Sequence, residues 1–234
     1  MFEIAAADAE RVALAAMPDV GQMAEAGWEP VVDDDTDDDD GDFDAYLERE
    51  PACARLAELS RLADLLGDGD IDADDGPVGL AERTFSQLGP ARTMPTEIEF
   101  EVEIASDVDD AWSGRRVVAD LIGSDDFGGC IAAVIERAMV DEISAEGMDG
   151  AVGVEVTPLV IDMHLPDGGV SFGVGIEMTI GDSSMPMVLQ VHSWLRGNAE
   201  ITVILTGDGR DLMQLDIPSI LTMADRRLVV AATR

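Results

Sequence analysis

Nine of the twelve residues in DDDTDDDDGDFD, positions 33–44, are aspartates, and a second acidic cluster, GDGDIDADDG, follows at 67–76. Carboxylates at this density are what hard cations such as calcium take as ligands, so spacing is the first test. A helix–loop–helix calcium loop needs ligands at positions 1, 3 and 5, glycine at 6 and a bidentate glutamate at 12. With Gly41 at position 6, Thr36, Asp38 and Asp40 take the ligand places, but position 12 is Leu47 and Glu48 comes one residue late. In the second run Asp68, Asp70 and Asp72 are followed by Ala73 where glycine is required, and position 12 is Gly79. Both runs fail as cages and read as flexible, solvated acidic insertions that condense divalent cations loosely. Mimicry of nucleic-acid phosphates is disfavoured, because the charge is punctuated by glycine and not set on a rigid element.

Nucleophilic and acid–base chemistry have few candidates. His164 and His192 are the only imidazoles, and His192 alternates with apolar neighbours in VLQVHSWL, the setting of a hydrogen-bonded structural histidine. GDSSM at 181–185 sits between two strand patterns and is no nucleophile elbow. Phosphate-binding glycine loops are absent; GVSFGVG lacks the later glycine and lies within a strand pattern. Glu97, Glu99, Glu101 and Glu103 share one strand face and read as solvated surface. Cys53 and Cys130 lie in no CxxC or His-spaced array, so zinc ligation has no motif behind it. They allow either one disulfide, across more than seventy residues, or two separate buried thiols. The expectation is a non-enzyme with no cofactor and no metal.

Composition narrows the class. An apolar fraction of 47% suits a globular chain, while the net charge of −36 is extreme, and all fourteen basic residues are arginine. Nucleic acid and anionic membrane surfaces are poor partners, since both need a basic face. Two origins of the acidity stand side by side: a lysine-poor, high-GC coding bias in an exported protein, or a salt-adapted proteome in which self-repulsion is screened. No stretch is apolar enough to span a membrane, and the N-terminus, MFEIAAADAERVALAAM, lacks the basic start of a signal peptide.

The elements that must position any site follow from periodicity. Residues 3–17 read as an amphipathic helix closed by Pro18, a leucine-rich pattern from Phe43 to Leu66 as a second, and 78–87 as a short helix. TEIEFEVEI from Thr96 alternates as a half-buried antiparallel strand. Asp107 caps a helix to about 121, and another covers roughly 127–145. AVGVEVTPLVIDMHL, VSFGVGIEMTI, PMVLQVHSWLR and AEITVILTG make four more strands, turned at PDGG (166–169), GDSS (181–184) and GN (197–198). A helix from Ile217 to about Val230 closes the chain, with Pro218 in its first turn. The expected fold is α+β: after N-terminal helices the order is β-α-α-β-β-β-β-α. A largely antiparallel sheet of about five strands is covered by helices on one face, in a single domain spanning 1–234.

Several of these pieces, in this order, resemble a known family. ALAAMPDVGQMAEAGWEP, EPACARL, AERTFSQ, FEVEIASDVDDAWSGRRVVADLIGSDDFGGC and VLQVHSWLRGNAEITVILTG resemble successive segments of PknH-like extracellular sensor domains and related cell-envelope lipoproteins of high-GC Gram-positive bacteria. The likeness covers most of residues 10–232. It implies an exported domain with a Cys53–Cys130 disulfide and a groove for an unidentified ligand. With no kinase or membrane-spanning segment in these residues, it points to a free envelope protein or lipoprotein.

Methionines supply the last clue. Met163, Met178, Met185 and Met187 fall on the late strands, and Met139, Met213 and Met223 on or near helices. Flexible thioethers suit either a surface that re-packs around apolar ligands or an ordinary core. Phe172, Met178, His192 and Trp194 are the candidate lining of a groove beside the sheet, where Gly173 and Gly175 leave room for close approach. The functional expectation is a non-catalytic, extracytoplasmic ligand-binding or sensor-type domain whose partner is a small or lipid-like molecule. The alternatives are an acidic protein-interaction module without a small ligand and a salt-adapted cytoplasmic protein.

Overall fold

A computed structural model of the chain describes residues 2–31, 49–54, 77–88, 94–124, 126–145, 152–166, 169–181 and 183–233. Both acidic runs, and most of the helix expected between Phe43 and Leu66, lie outside the described residues.

The chain opens with helix α1 (Ala6–Ala16) and helix α2 (Val20–Glu25). The Asp19 carboxylate caps α2 by accepting from the Gln22 N–H at 3.0 Å. Gly27, at φ +88°, turns the backbone into the two-residue strand β1 (Glu29–Pro30). A 3-10 turn at Pro51–Cys53 precedes strands β2 (Gly79–Leu88) and β3 (Pro95–Ile104). Helices α3 (Val108–Ile122) and α4 (Phe127–Ala145) follow. Strands β4 (Val152–Leu159), β5 (Val170–Ile180), β6 (Ser183–Arg196) and β7 (Ala199–Gly207) then form a meander. A single helical turn, α5 (Gly209–Leu212), leads into α6 (Ile217–Ala232), which the Asp216 carboxylate caps at Ser219.

Among the described residues the sheet is antiparallel, with seven strands in the order β1-β2-β3-β7-β6-β5-β4. The α+β class holds, but the count of about five strands is low by two. Residues 78–87, expected as a helix, form β2 and pair with β3 along ten residues. GLAERTFSQL carries ordinary helix formers; tertiary pairing overrides that preference, burying Phe85 edge-on against Phe100. The other addition, β1, is too short to leave a periodic signal.

Helices cover both faces, not one. On the first face α1 and α6 pack over β2, β3 and β7, with Phe85, Ile98, Phe100, Ile201, Val203, Leu205 and Trp194 in the core beneath them. On the second face α3 and α4 cover the opposite end of the sheet, over β4 and β5. There Phe127, Ile131 and Val134 meet Val156, Val174 and Ile176. Cys53 and Cys130 are fully buried in this second core and form a disulfide, tying the 3-10 turn to α4.

Candidate functional site

The four candidate residues divide between the two faces. β5 and β6 pair with Ser171 opposite His192 and Phe172 opposite Val191. Side chains alternate along each strand, so Phe172 and Met178 point to the α3/α4 face, whereas His192 and Trp194 point to the α1/α6 face. Phe172 stacks edge-to-face with Phe127 at 5.3 Å, and Met178 lies opposite Met185. Trp194 is fully buried, with its indole N–H donating to the Asp225 carboxylate of α6 at 3.0 Å. His192 is fully buried too, its Nδ1 2.8 Å from the Ser171 hydroxyl. Burial pulls its pKa down to about 4, so the ring is neutral at ordinary pH. Phe172 and Trp194 pack into opposite cores, and the four residues do not line one groove together.

A cleft does open beside the sheet, one step along the same strand. Its floor is Val188 and Gln190 of β6; one wall is the segment Leu159–Met163 leaving β4, and the other is Asp208–Leu215 around α5 with the start of α6. The cleft is open to solvent along one side, and its volume of about 650 Å³ is in the range of small-molecule sites. Gly173 explains how the first wall reaches the sheet. A Cβ there would come within 3.1 Å of the Ile161 side chain and 3.0 Å of the Leu189 carbonyl. The space opened by this glycine is therefore filled by the chain's own segment. Val160 and Met213 stand on opposite walls, 98% and 81% exposed, the two most exposed large apolar side chains among the described residues. Gln190 on the floor and Arg210 on the rim are polar groups available to orient a guest.

The strand face expected to be plain solvated surface is more constrained. Glu97, Glu99 and Glu101 are half-buried, and α3 lays Arg115 over this end of the sheet. Buried Arg115 donates to Glu200 at 3.0 Å, and the Ser193 hydroxyl donates to the same oxygen at 2.5 Å. Burial raises the pKa of Glu101, helped by repulsion from Glu103, Glu82 and Glu200. Glu103 is raised by burial and by Glu200. Among the described residues no group of three or more His, Cys, Asp or Glu is placed to hold a metal ion. His164 is exposed while His192 is buried.

No protein-family model matches the chain, and no curated protein matches it. The cleft therefore has to be read from its own residues. Met163 and Met213 carried a sequence signal and do line it. Val160, Gln190 and Arg210 were missed: each is unremarkable in its local pattern, and only the β4–β5 connection and the α5 turn bring them together. No helix among the described residues is long and apolar enough to cross a membrane.

Proposed function

We propose that this protein is a non-catalytic, extracytoplasmic ligand-binding domain of the sensor type, taking an apolar small molecule into the cleft between β6, the segment after β4 and the α5 turn. The observation that carries this reading is the pair Val160 and Met213, almost fully in water on facing walls of the cleft. Covering side chains of this kind is worth roughly 1.5–3 kcal/mol each, which a guest recovers and the empty cleft forgoes. Met163 and Met213 adapt to varied shapes, and Gln190 and Arg210 supply the few polar contacts that fix orientation. The Cys53–Cys130 disulfide suits an oxidising compartment, and the likeness to PknH-like envelope domains supports export.

The test is a native mass spectrum of protein purified gently from its own host, set beside the denatured mass. An adduct of several hundred daltons, lost on denaturation and absent from the Val160→Asp/Met213→Asp variant, is the expected result. A bare chain that also fails to take up an apolar fluorescent probe overturns the reading. That outcome moves the function to an acidic protein-interaction module, for which the net charge of −36 already argues.

A further inference from the structure

We propose a second binding site, for a single-chain amphiphile with an anionic head such as a long-chain carboxylate, in the groove between α1 and α6. The chain carries fifty acidic residues against fourteen arginines. Yet Arg11, Arg226 and Arg227 all line this one groove of about 840 Å³, and among the described residues no carboxylate lines it. Scattered arginines on so acidic a surface would each be expected beside several carboxylates.

The three charges are only weakly committed elsewhere. Arg227 Nε donates to the Ala16 carbonyl at the end of α1, at 3.3 Å, and its Nη1 to Gln22 Oε1 at 3.4 Å. Both partners are neutral, so the guanidinium is held in place but not cancelled. Arg226 has no ion-pair partner among the described residues. Arg11 pairs with Asp8 at 2.9 Å, with both side chains more than half exposed, an arrangement worth little. A guanidinium fork is the side chain best matched to a carboxylate. Beside these forks Ala15, Met223, Val230 and Ala231 supply an apolar strip, with Gln22, Ser219 and Thr222 as the uncharged polar part of the lining. An anionic head on an apolar tail satisfies both halves.

The same net charge selects a free molecule over a membrane. An anionic bilayer presents a whole negative surface to a protein of charge −36 and is repelled, whereas one small anion meets chiefly the local guanidinium groups. The groove lies apart from the cleft beside β6, sharing only Pro218 with its lining, so neither proposal depends on the other.

Calorimetric titration with dodecanoate, dodecan-1-ol and acetate tests the proposal. Dodecanoate is expected to bind at least tenfold tighter than the alcohol, with acetate silent. Arg226→Gln should weaken dodecanoate at least tenfold and leave the alcohol unchanged. Thr222→Glu, which keeps every arginine but places a carboxylate in the lining, should weaken it as well, and circular dichroism verifies that both variants fold. Val160→Asp, in the other cleft, should leave dodecanoate unaffected. Absence of binding, equal affinity for acid and alcohol, or indifference to Arg226→Gln overturns this site. Loss of dodecanoate in Val160→Asp with Arg226→Gln silent also overturns it, by placing the ligand in the sheet cleft. Co-sedimentation with phosphatidylglycerol vesicles would overturn the choice of a free amphiphile.

Discussion

Asn198 holds the backbone of Ile4 as a neighbouring strand would: its Oδ1 accepts from the Ile4 N–H at 2.8 Å and its Nδ2 donates to the Ile4 carbonyl at 3.0 Å. The same Nδ2 donates to the Ala105 carbonyl at 2.8 Å, while the Ala105 N–H donates to the Asn198 carbonyl at 2.9 Å. Beside it Gly197, at φ +69°, lies directly against the Phe2 carbonyl, where a side chain would have no room. The two-residue loop closing β6 to β7 is thus also the anchor for the segment that delivers α1 to the sheet, and α1 is one wall of the arginine groove.

Asn198→Ala deletes three hydrogen bonds at a fully buried site and strands their backbone partners. At ~1–3 kcal/mol for each unsatisfied buried group, with incomplete additivity, the expected loss is about 3 kcal/mol. Urea unfolding measures it, and limited trypsin digestion should show faster cleavage at Arg11. A loss near zero would mean that these three hydrogen bonds do not hold the N-terminal segment in place.

The Cys53–Cys130 disulfide spans 77 residues of sequence, and both sulfurs are buried in the second core. In the chain-entropy account, closing a loop of that length stabilises by roughly 4 kcal/mol. Thiol titration of denatured, unreduced protein should find no free thiol. Reduction should lower the unfolding midpoint, and the Cys53→Ser/Cys130→Ser variant should match reduced wild type. Two free thiols in protein from its own host would count against export.

The elements that were legible in the sequence are those with an uninterrupted period. TEIEFEVEI gave β3 through strict alternation, and its apolar face, Ile98, Phe100, Val102 and Ile104, is buried throughout. α3, α4 and α6 lie within one or two residues of their expected limits. β2 was hidden because Arg83 and Thr84 interrupt the period and only the partner strand decides its state. Register is what separates the four candidate residues. β5 and β6 pair with Ile180 opposite Ser183, so every even residue of one strand stands opposite an odd residue of the other. Even-numbered Phe172 and Met178 therefore part company with even-numbered His192 and Trp194. A one-residue shift of that register would put all four on one face, and no local pattern reveals which register the chain adopts.

Arg115 is the cation that makes the glutamate end of the second face tolerable. It bonds Glu200, whose neighbours include Glu101 and Glu103, both with raised pKa values. Arg115→Met should cost on the order of 2–3 kcal/mol at neutral pH, below the figure for a fully buried pair because Glu200 is partly exposed. Adding Glu200→Gln should recover part of that loss, since it removes the charge left unpaired. A double-mutant cycle by urea unfolding measures the coupling; strict additivity would show that the pair carries no net interaction.

His192 should give the acid limb of the stability profile a recognisable shape. Unfolded, the ring takes up its proton near pH 6.5; folded, it resists until about pH 4, because burial penalises the imidazolium. The stability tied to the neutral ring is complete above pH 6.5 and drains away as pH falls from there to about 4, by on the order of 3 kcal/mol. Glu101 and Glu103 act with the opposite sign. Their raised folded pKa values mean that protonation favours the folded state, so their contribution grows as pH falls and is lost as pH rises through those values. The two effects overlap, and a wild-type curve alone would mix them. His192→Asn removes only the first: its unfolding free energy should lose the fall between pH 6.5 and 4 and keep the carboxylate gain. If the variant and wild-type curves run parallel across that window, His192 is not the group that titrates.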